Sequence, residues 1–264
     1  MAKKKSKTAQ AGGGIPIASG RSLLRPLKAA EVVARDVVRD IGAGGLAPGD
    51  SLESEAEMLK KYGVSRESLR EGLRLLEVQG MINIRRGPGG GPSVGTIDPA
   101  NLGRMHALFF NLSGATYSEL FEAWVFAESA LAGFAAANPD DELRRSAMKG
   151  FLTPEAHQHE HIDLEQFVEG HETFHSTVAM LSGNRVLELT FRSYGLLVAH
   201  HVATVGDPRP MKDTLVEDHL RIAESISAGD RAEAERLMRE HLQQVIEINI
   251  EQLGDLVSGP VEWL

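Results

Sequence analysis

Apolar residues recur at helical spacing from Pro26 onward, where Val32, Val33, Val37, Val38 and Ile41 precede the interruption at Gly42 and Gly44-Gly45. This pattern predicts a first amphipathic helix, followed by a turn over Leu46-Ala47-Pro48-Gly49-Asp50. Ser54 and Glu57 stand three apart, the spacing of a capping box, and open a short helix that ends at Tyr62-Gly63. Ser65 is a good N-cap for a third helix, whose buried stripe is Leu69, Leu73 and Leu76. The period then changes. Met81-Ile82-Asn83-Ile84-Arg85 reads as a strand, Gly87 to Pro92 as a turn, and Ser93-Val94-Gly95 as a return strand. Beyond Ala100 the pattern is helical, with breaks near Ser113-Gly114, Asn138-Pro139, Thr153-Pro154, Ser182-Gly183-Asn184, Gly206 to Pro210 and Gly229-Asp230. The fold class is therefore mainly α. A winged helix-turn-helix of three helices plus a β-hairpin wing, residues 25–97, is joined by a linker at 98–102 to an all-α bundle of six or seven antiparallel helices, residues 103–254. Residues 1–24, basic and then glycine-rich, read as a disordered tail, and 255–264 as a second tail.

Charge changes the picture of that division. The formal net charge of -9 over 264 residues argues, taken whole, against a nucleic-acid partner. Residues 1–100, however, hold 16 Lys+Arg against 11 Asp+Glu, and the remaining 164 hold 12 against 26. A basic front end is joined to an acidic back end. The chain has no cysteine, which excludes disulfide frameworks, thiolate zinc fingers and thiol catalysis and suits a reducing cytoplasm. No apolar run approaches a membrane span, so a cytoplasmic protein with no membrane partner is expected, nucleoid-associated when bound to DNA.

In a helix-turn-helix the second helix reads the major groove from its amino end, which requires cations there and an apolar opposite face. Arg66 and Arg70 lie one turn apart on the third helix, opposite its leucines. A guanidinium fork can meet O6 and N7 of guanine together, and Ser65 and Ser68 at the same end are candidate phosphate donors. Arg86-Gly87 occupies the wing tip. An isolated Arg pair at this spacing more often marks a solvated helix face. The order Gly45-Leu-Ala-Pro-Gly-Asp-Ser-Leu-Glu-Ser-Glu, then Gly63-Val-Ser-Arg-Glu-Ser-Leu-Arg-Glu-Gly-Leu-Arg-Leu-Leu and Gly80-Met-Ile, resembles the winged helix of GntR-family transcription regulators over residues 26–95. The resemblance implies operator contacts from Arg66, Arg70, Arg86 and Gly87. Two departures stand out: Ala56 replaces an arginine common in that family, and the wing is rich in glycine and proline.

All ten histidines follow residue 100. His157, His159 and His161 lie in a polar stretch and read as solvent-facing. His171 and His175 share a face with Phe167, Phe174 and Val178, while His219 lies between Val216 and Ala223 and His241 between Leu237 and Val245. One inward histidine is usually a satisfied core residue; four on apolar stripes need a common partner, and a divalent metal is the economical one. Phe174-His175, Ser182-Gly183-Asn184, Glu217-Asp218-His219 and His241 after Ala228-Gly229-Asp230 resemble the FCD effector domain of the FadR subfamily over roughly 101–253. That resemblance implies a metal held by one Asp and three His, and His171 stands at the Asp position. An all-imidazole set shifts the expected ion toward Zn or Ni. It further implies a small carboxylate or acyl-type effector, a homodimer and a palindromic double-stranded operator, with repression the common mode. Trp124 stands where an effector-facing arginine is common and either packs a less polar ligand or fills core; Arg192 is the nearest remaining cation.

Two enzyme motifs compete with a regulator. His171-Glu172-Thr-Phe-His175 is a literal H-E-x-x-H, the alternative being a zinc metallopeptidase with Glu172 as general base. Gly91-Pro-Ser-Val-Gly95 matches G-x-S-x-G but lies in the wing rather than on a strand-turn-helix elbow. A basic winged helix ahead of the histidines favours a regulator, with no catalytic residues.

Overall fold

The computed structural model describes residues 15, 25–87, 89–152, 164–205 and 212–263. His157, His159, His161, the expected breaks at Thr153-Pro154 and Gly206 to Pro210, and all of the 1–24 segment except Ile15 lie outside them. The chain divides into two compact units between Leu102 and Gly103.

In the first unit α1 (Ala29–Gly44), α2 (Glu55–Tyr62) and α3 (Arg66–Val78) precede the antiparallel strands β1 (Ile82–Arg85) and β2 (Gly91–Val94). Their core is Val33, Val37, Met58, Leu69, Leu73, Leu76 and Ile82. Val38 of the expected α1 stripe is instead 43% exposed, because the face turned to α3 is narrower than the apolar run. α2 starts as its sequence predicts: Ser54 Oγ accepts the Glu57 N–H, and the Glu57 carboxylate accepts the Ser54 N–H. Both α1 and α2 end on left-handed glycines, Gly45 and Gly63.

Gly72 allows α1 and α3 to approach: a Cβ there would lie 2.8 Å from the Ala30 carbonyl oxygen and from Val33 Cβ. Because that obstacle is partly backbone, Gly72→Ala is expected to push the helices apart and cost about 1–3 kcal/mol. Urea unfolding of this unit should show the loss as a lower midpoint at unchanged slope. The return strand begins two residues earlier than its apolar pattern suggests, with Arg85 facing Gly91 and Ile82 facing Val94. The glycines of the wing have a local cause, since a Cβ on Gly90 would sit 2.2 Å from the Arg85 carbonyl oxygen.

Residues 98–102, expected as a linker, instead open a helix. Asp98 Oδ1 accepts the Ala100 N–H at 2.9 Å, Pro99 takes the first helical position, and α4 runs Pro99–Ser113. Six more helices follow: α5 (Tyr117–Ala136), α6 (Asp141–Met148), α7 (Leu164–Leu181), α8 (Arg185–Val205), α9 (Lys212–Ala228) and α10 (Arg231–Leu253). Among the described residues this half of the chain is all-α, as expected. Helix α5 is its centre, packed against α7, α8, α9 and α10. It is buried on nearly every side, through Leu120, Phe121, Trp124, Ala127, Leu131 and Ala135 among others, so its sequence is apolar all round rather than striped.

Within the segment expected as a tail at 255–264, the described residues 255–263 are not loose. Val261 is fully buried, its N–H donates to the Ala115 carbonyl, and Pro260 bridges Thr116. A single valine directly after Gly259-Pro260 carries no periodicity, which is why pattern alone missed it. Val261→Ala should lower stability by about 1.5–3 kcal/mol, readable as a lower thermal midpoint.

Candidate functional site

The amino end of α3 is exposed and cationic. Arg66 and Arg70 both face solvent, and the Arg70 guanidinium reaches Glu55 Oε2 at 3.3 Å. Such an exposed pair is worth at most about 1 kcal/mol and yields readily to a phosphate or base edge. Ser65 caps the helix, because its Oγ accepts the Ser68 N–H at 3.1 Å and donates to Ser68 Oγ at 3.0 Å. Of the two hydroxyls, Ser68 therefore keeps its proton for an outside acceptor. Arg86 and Gly87 are exposed at the hairpin tip, with Gly87 at φ +102°.

In the helical half, His171 and His175 from α7, His219 from α9 and His241 from α10 come together, with one ring nitrogen from each within 4.8 Å of all the others. Helical periodicity brings the first two together, since residues four apart share a face. His175, His219 and His241 are buried. His175 Nδ1 lies 3.1 Å from Glu128 Oε2 on α5, and His241 Nδ1 lies 3.3 Å from Asp218 Oδ2 on α9. Carboxylates on the outer nitrogens fix the tautomer that turns Nε2 inward. His175 Nε2, His241 Nε2 and His171 Nδ1 are buried without a hydrogen-bond partner. The His219 ring stacks on Phe174 with centroids 3.9 Å apart.

Burial, reinforced by the neighbouring imidazoles, holds His171 well below the usual histidine range. Burial likewise lowers His241, against the opposing pull of Asp218. Neutral imidazoles with inward lone pairs are what a metal ion requires, and orphaned buried nitrogens are costly without one. The residues fit a metal: the four histidines form a group able to hold one, and a bound ion supplies a Lewis-acidic contact for a ligand.

Beside the histidines a small cavity, with room for about one water, is lined by Trp124, Glu128, His171, Glu172, His175, Ser176, Arg192 and Gly195. Trp124 is 4% exposed and its Nε1 has no hydrogen-bond partner. Arg192 lies 3.7 Å from Glu188, one turn away on α8. Glu172 is raised by burial above the usual carboxylate range. Sequence reasoning placed Trp124 and Arg192 beside the effector but assigned nothing to Asp218, Ser176 or Gly195. The spacing of Trp124 and Glu128, four apart on one helix, was the one available signal that both face the histidines.

The sequence pattern described as "FCD domain" matches residues 119–244, and that described as "Bacterial regulatory proteins, gntR family" matches 29–90. The chain belongs to the GntR family. It is a DNA-binding transcription regulator with an FCD domain, and not an enzyme. This GntR-family chain is similar to the HTH-type transcriptional repressor NanR of Cronobacter sakazakii, 28% identical over 238 residues covering 86% of this chain and 89% of the relative. NanR of Klebsiella aerogenes is likewise 28% identical over 235 residues, covering 86% and 88%. A solved GntR structure from Streptococcus agalactiae covers 83% of this chain and 99% of its own at 21% identity, and its TM-score of 0.61 shows the shared fold.

These relatives correct the metallopeptidase alternative. They are regulators, and the two histidines of the His171-Glu172-x-x-His175 spacing, one turn apart on α7, stand in one group with His219 and His241. Among the described residues no helix is long and apolar enough to cross a membrane.

Proposed function

We propose that this GntR-family regulator is a cytoplasmic, homodimeric repressor. Its DNA-binding domain, 25–97, reads a palindromic operator through Arg66 and Arg70, with Ser68, the capped amino end at Ser65 and the wing tip Arg86-Gly87 on the backbone. Its effector domain, 103–254, holds Zn or Ni on His171, His175, His219 and His241, and takes a small ligand in the adjoining cavity against Trp124 and Arg192. The observation that carries the effector half is the set of buried, unpartnered imidazole nitrogens on His171, His175 and His241, the first two of which line that cavity. The repressor sense is supported by the names of the relatives.

Dimerisation follows from need: one small winged helix buries little surface on DNA, and two half-sites multiply affinity and specificity. An effector alters operator affinity only if it favours one arrangement of the paired winged helices. Sedimentation of the protein alone and on DNA from upstream of its own gene tests the assembly. Two protomers per operator are expected; one protomer per site at full occupancy overturns the dimer.

A further inference from the structure

Glu53, Glu55 and Glu57 stand at the start of α2, and each is engaged differently. Glu57 Oε2 accepts the Ser54 N–H at 2.8 Å and so caps the helix. Glu53 accepts from Lys61 Nζ at 3.0 Å, and Lys61 also reaches Asp40 on α1 at 3.1 Å. Tyr62 donates to the same Asp40 at 2.8 Å, so the carboxyl end of α2 is tied to α1. Glu55 takes part in neither arrangement. Its Oε2 accepts from Arg70 Nε at 3.3 Å, across 15 residues from α2 to α3. The exposed arginines of α3 and the hairpin are Arg66, Arg70, Arg74, Arg85 and Arg86. Among the described residues Arg70 is the one of these with a carboxylate partner.

The atom that is bonded decides what remains free. Glu55 occupies Nε, on the flank of the guanidinium, and leaves Nη1 and Nη2 without a partner on an exposed side chain. Those two nitrogens can meet O6 and N7 of guanine end-on, so the pair need not break when Arg70 reads a base. Charge favours the same arrangement. A bare carboxylate here would repel phosphates, and the neighbouring Ala56 offers it no cation, whereas the Glu55–Arg70 pair is neutral as a unit. An arginine already restricted in the free protein also loses less rotamer freedom on binding and reaches fewer wrong positions. We propose that Glu55 is a positioning residue for sequence readout, holding the Arg70 guanidinium in the orientation that reads one guanine. Glu55 then weakens binding to DNA in general through its charge, yet strengthens discrimination at that one base. The two effects have opposite signs.

This inference rests on the proposed reading of the operator by Arg70, and the test separates the two. The full-length protein selects its sites from a randomised duplex pool. Affinities are then measured at one fixed salt concentration on the selected duplex, on the same duplex with each guanine changed in turn to adenine, and on a scrambled duplex. Arg70→Ala identifies its guanine as the position where preference disappears. Glu55→Ala should reduce the preference for that same guanine by about two- to fivefold per half-site, the range an exposed pair supplies, while scrambled DNA is bound as tightly as before or more tightly. In the Arg70→Ala background, Glu55→Ala should change the preference no further. If Glu55→Ala keeps the guanine preference, shifts selected and scrambled duplexes by the same factor, or still lowers the preference without Arg70, the positioning inference is overturned and the reading by Arg70 stands. If Arg70→Ala loses preference at no guanine, both are overturned. Should Glu55→Ala fail to fold, Glu55→Asp, one methylene too short to hold Nε, provides the second variant with the same loss of preference expected.

Discussion

Replacing both Arg66 and Arg70 with Ala is expected to reduce operator affinity by two orders of magnitude or more. Each arginine is exposed at the amino end of α3, where that helix presents its first turns outward while Leu69, Leu73 and Leu76 hold the opposite face in the core. A bidentate arginine to guanine contact is worth about 1–3 kcal/mol, or roughly 5- to 150-fold, so either single change should be visible and the pair severe. The Arg70 to Glu55 pair at 3.3 Å is lost in the same variants, but as an exposed contact it hardly affects stability. Folding should therefore be unchanged, and thermal unfolding of the double variant provides the control. A mobility-shift titration on DNA upstream of the protein's own gene, at one fixed salt concentration, measures the effect. Arg86→Ala at the wing should behave differently, weakening all sequences alike and reducing the slope of log affinity against log salt by about 1. Unchanged binding in both single variants on α3 would remove this helix from the interface.

Chelation is expected to lower the thermal midpoint of the helical domain by about 5–10 °C. An ion at a hundred times its Kd adds about 2.7 kcal/mol to the folded state, and about 1 kcal/mol moves the midpoint of a domain this size by roughly 2–4 °C. The cause is local. Imidazole nitrogens on α7 and α10 are buried without hydrogen bonds, and an ion relieves that cost while tying those helices to α9. Elemental analysis of tagless protein should find about one equivalent per chain, reduced by His219→Ala. Because the His219 ring also stacks on Phe174, the variant loses packing as well as a ligand, so its midpoint alone decides nothing. The deciding comparison is its response to chelator: wild type shifts and His219→Ala does not. A metal-free wild type whose midpoint ignores chelator would make the four histidines ordinary core residues.

Both sites were legible in outline because helices repeat. Ser54 with Glu57 and Ser65 with its following leucines announced α2 and α3, since capping and amphipathic spacing are local properties. Inward histidines on three apolar stripes announced a cluster. Other features had no such signal. Asp98-Pro99 read as a boundary, although an aspartate before a proline at the first helical position equally opens a helix. Val261 enters the core without periodicity, through backbone bonds to Ala115 and the Thr116 bridge. Asp218 reaches His241 across 23 residues, and Glu128 reaches His175 across 47, distances over which sequence spacing conveys no geometry.

The sequence alone determined what local physics determines: where helices start and stop, which face of each turns inward, the basic winged helix ahead of an acidic bundle, and the identity of the four histidines. The tertiary structure decided what those faces meet. Only the packing of α5 among α7, α8, α9 and α10 turns four separate imidazoles into one group, gives two of them carboxylate partners, and sets Trp124 and Glu172 on the same cavity. The physical reason is range. Capping and amphipathicity act within a few residues, whereas coordination and cavity shape depend on helices far apart in sequence meeting within a few ångströms.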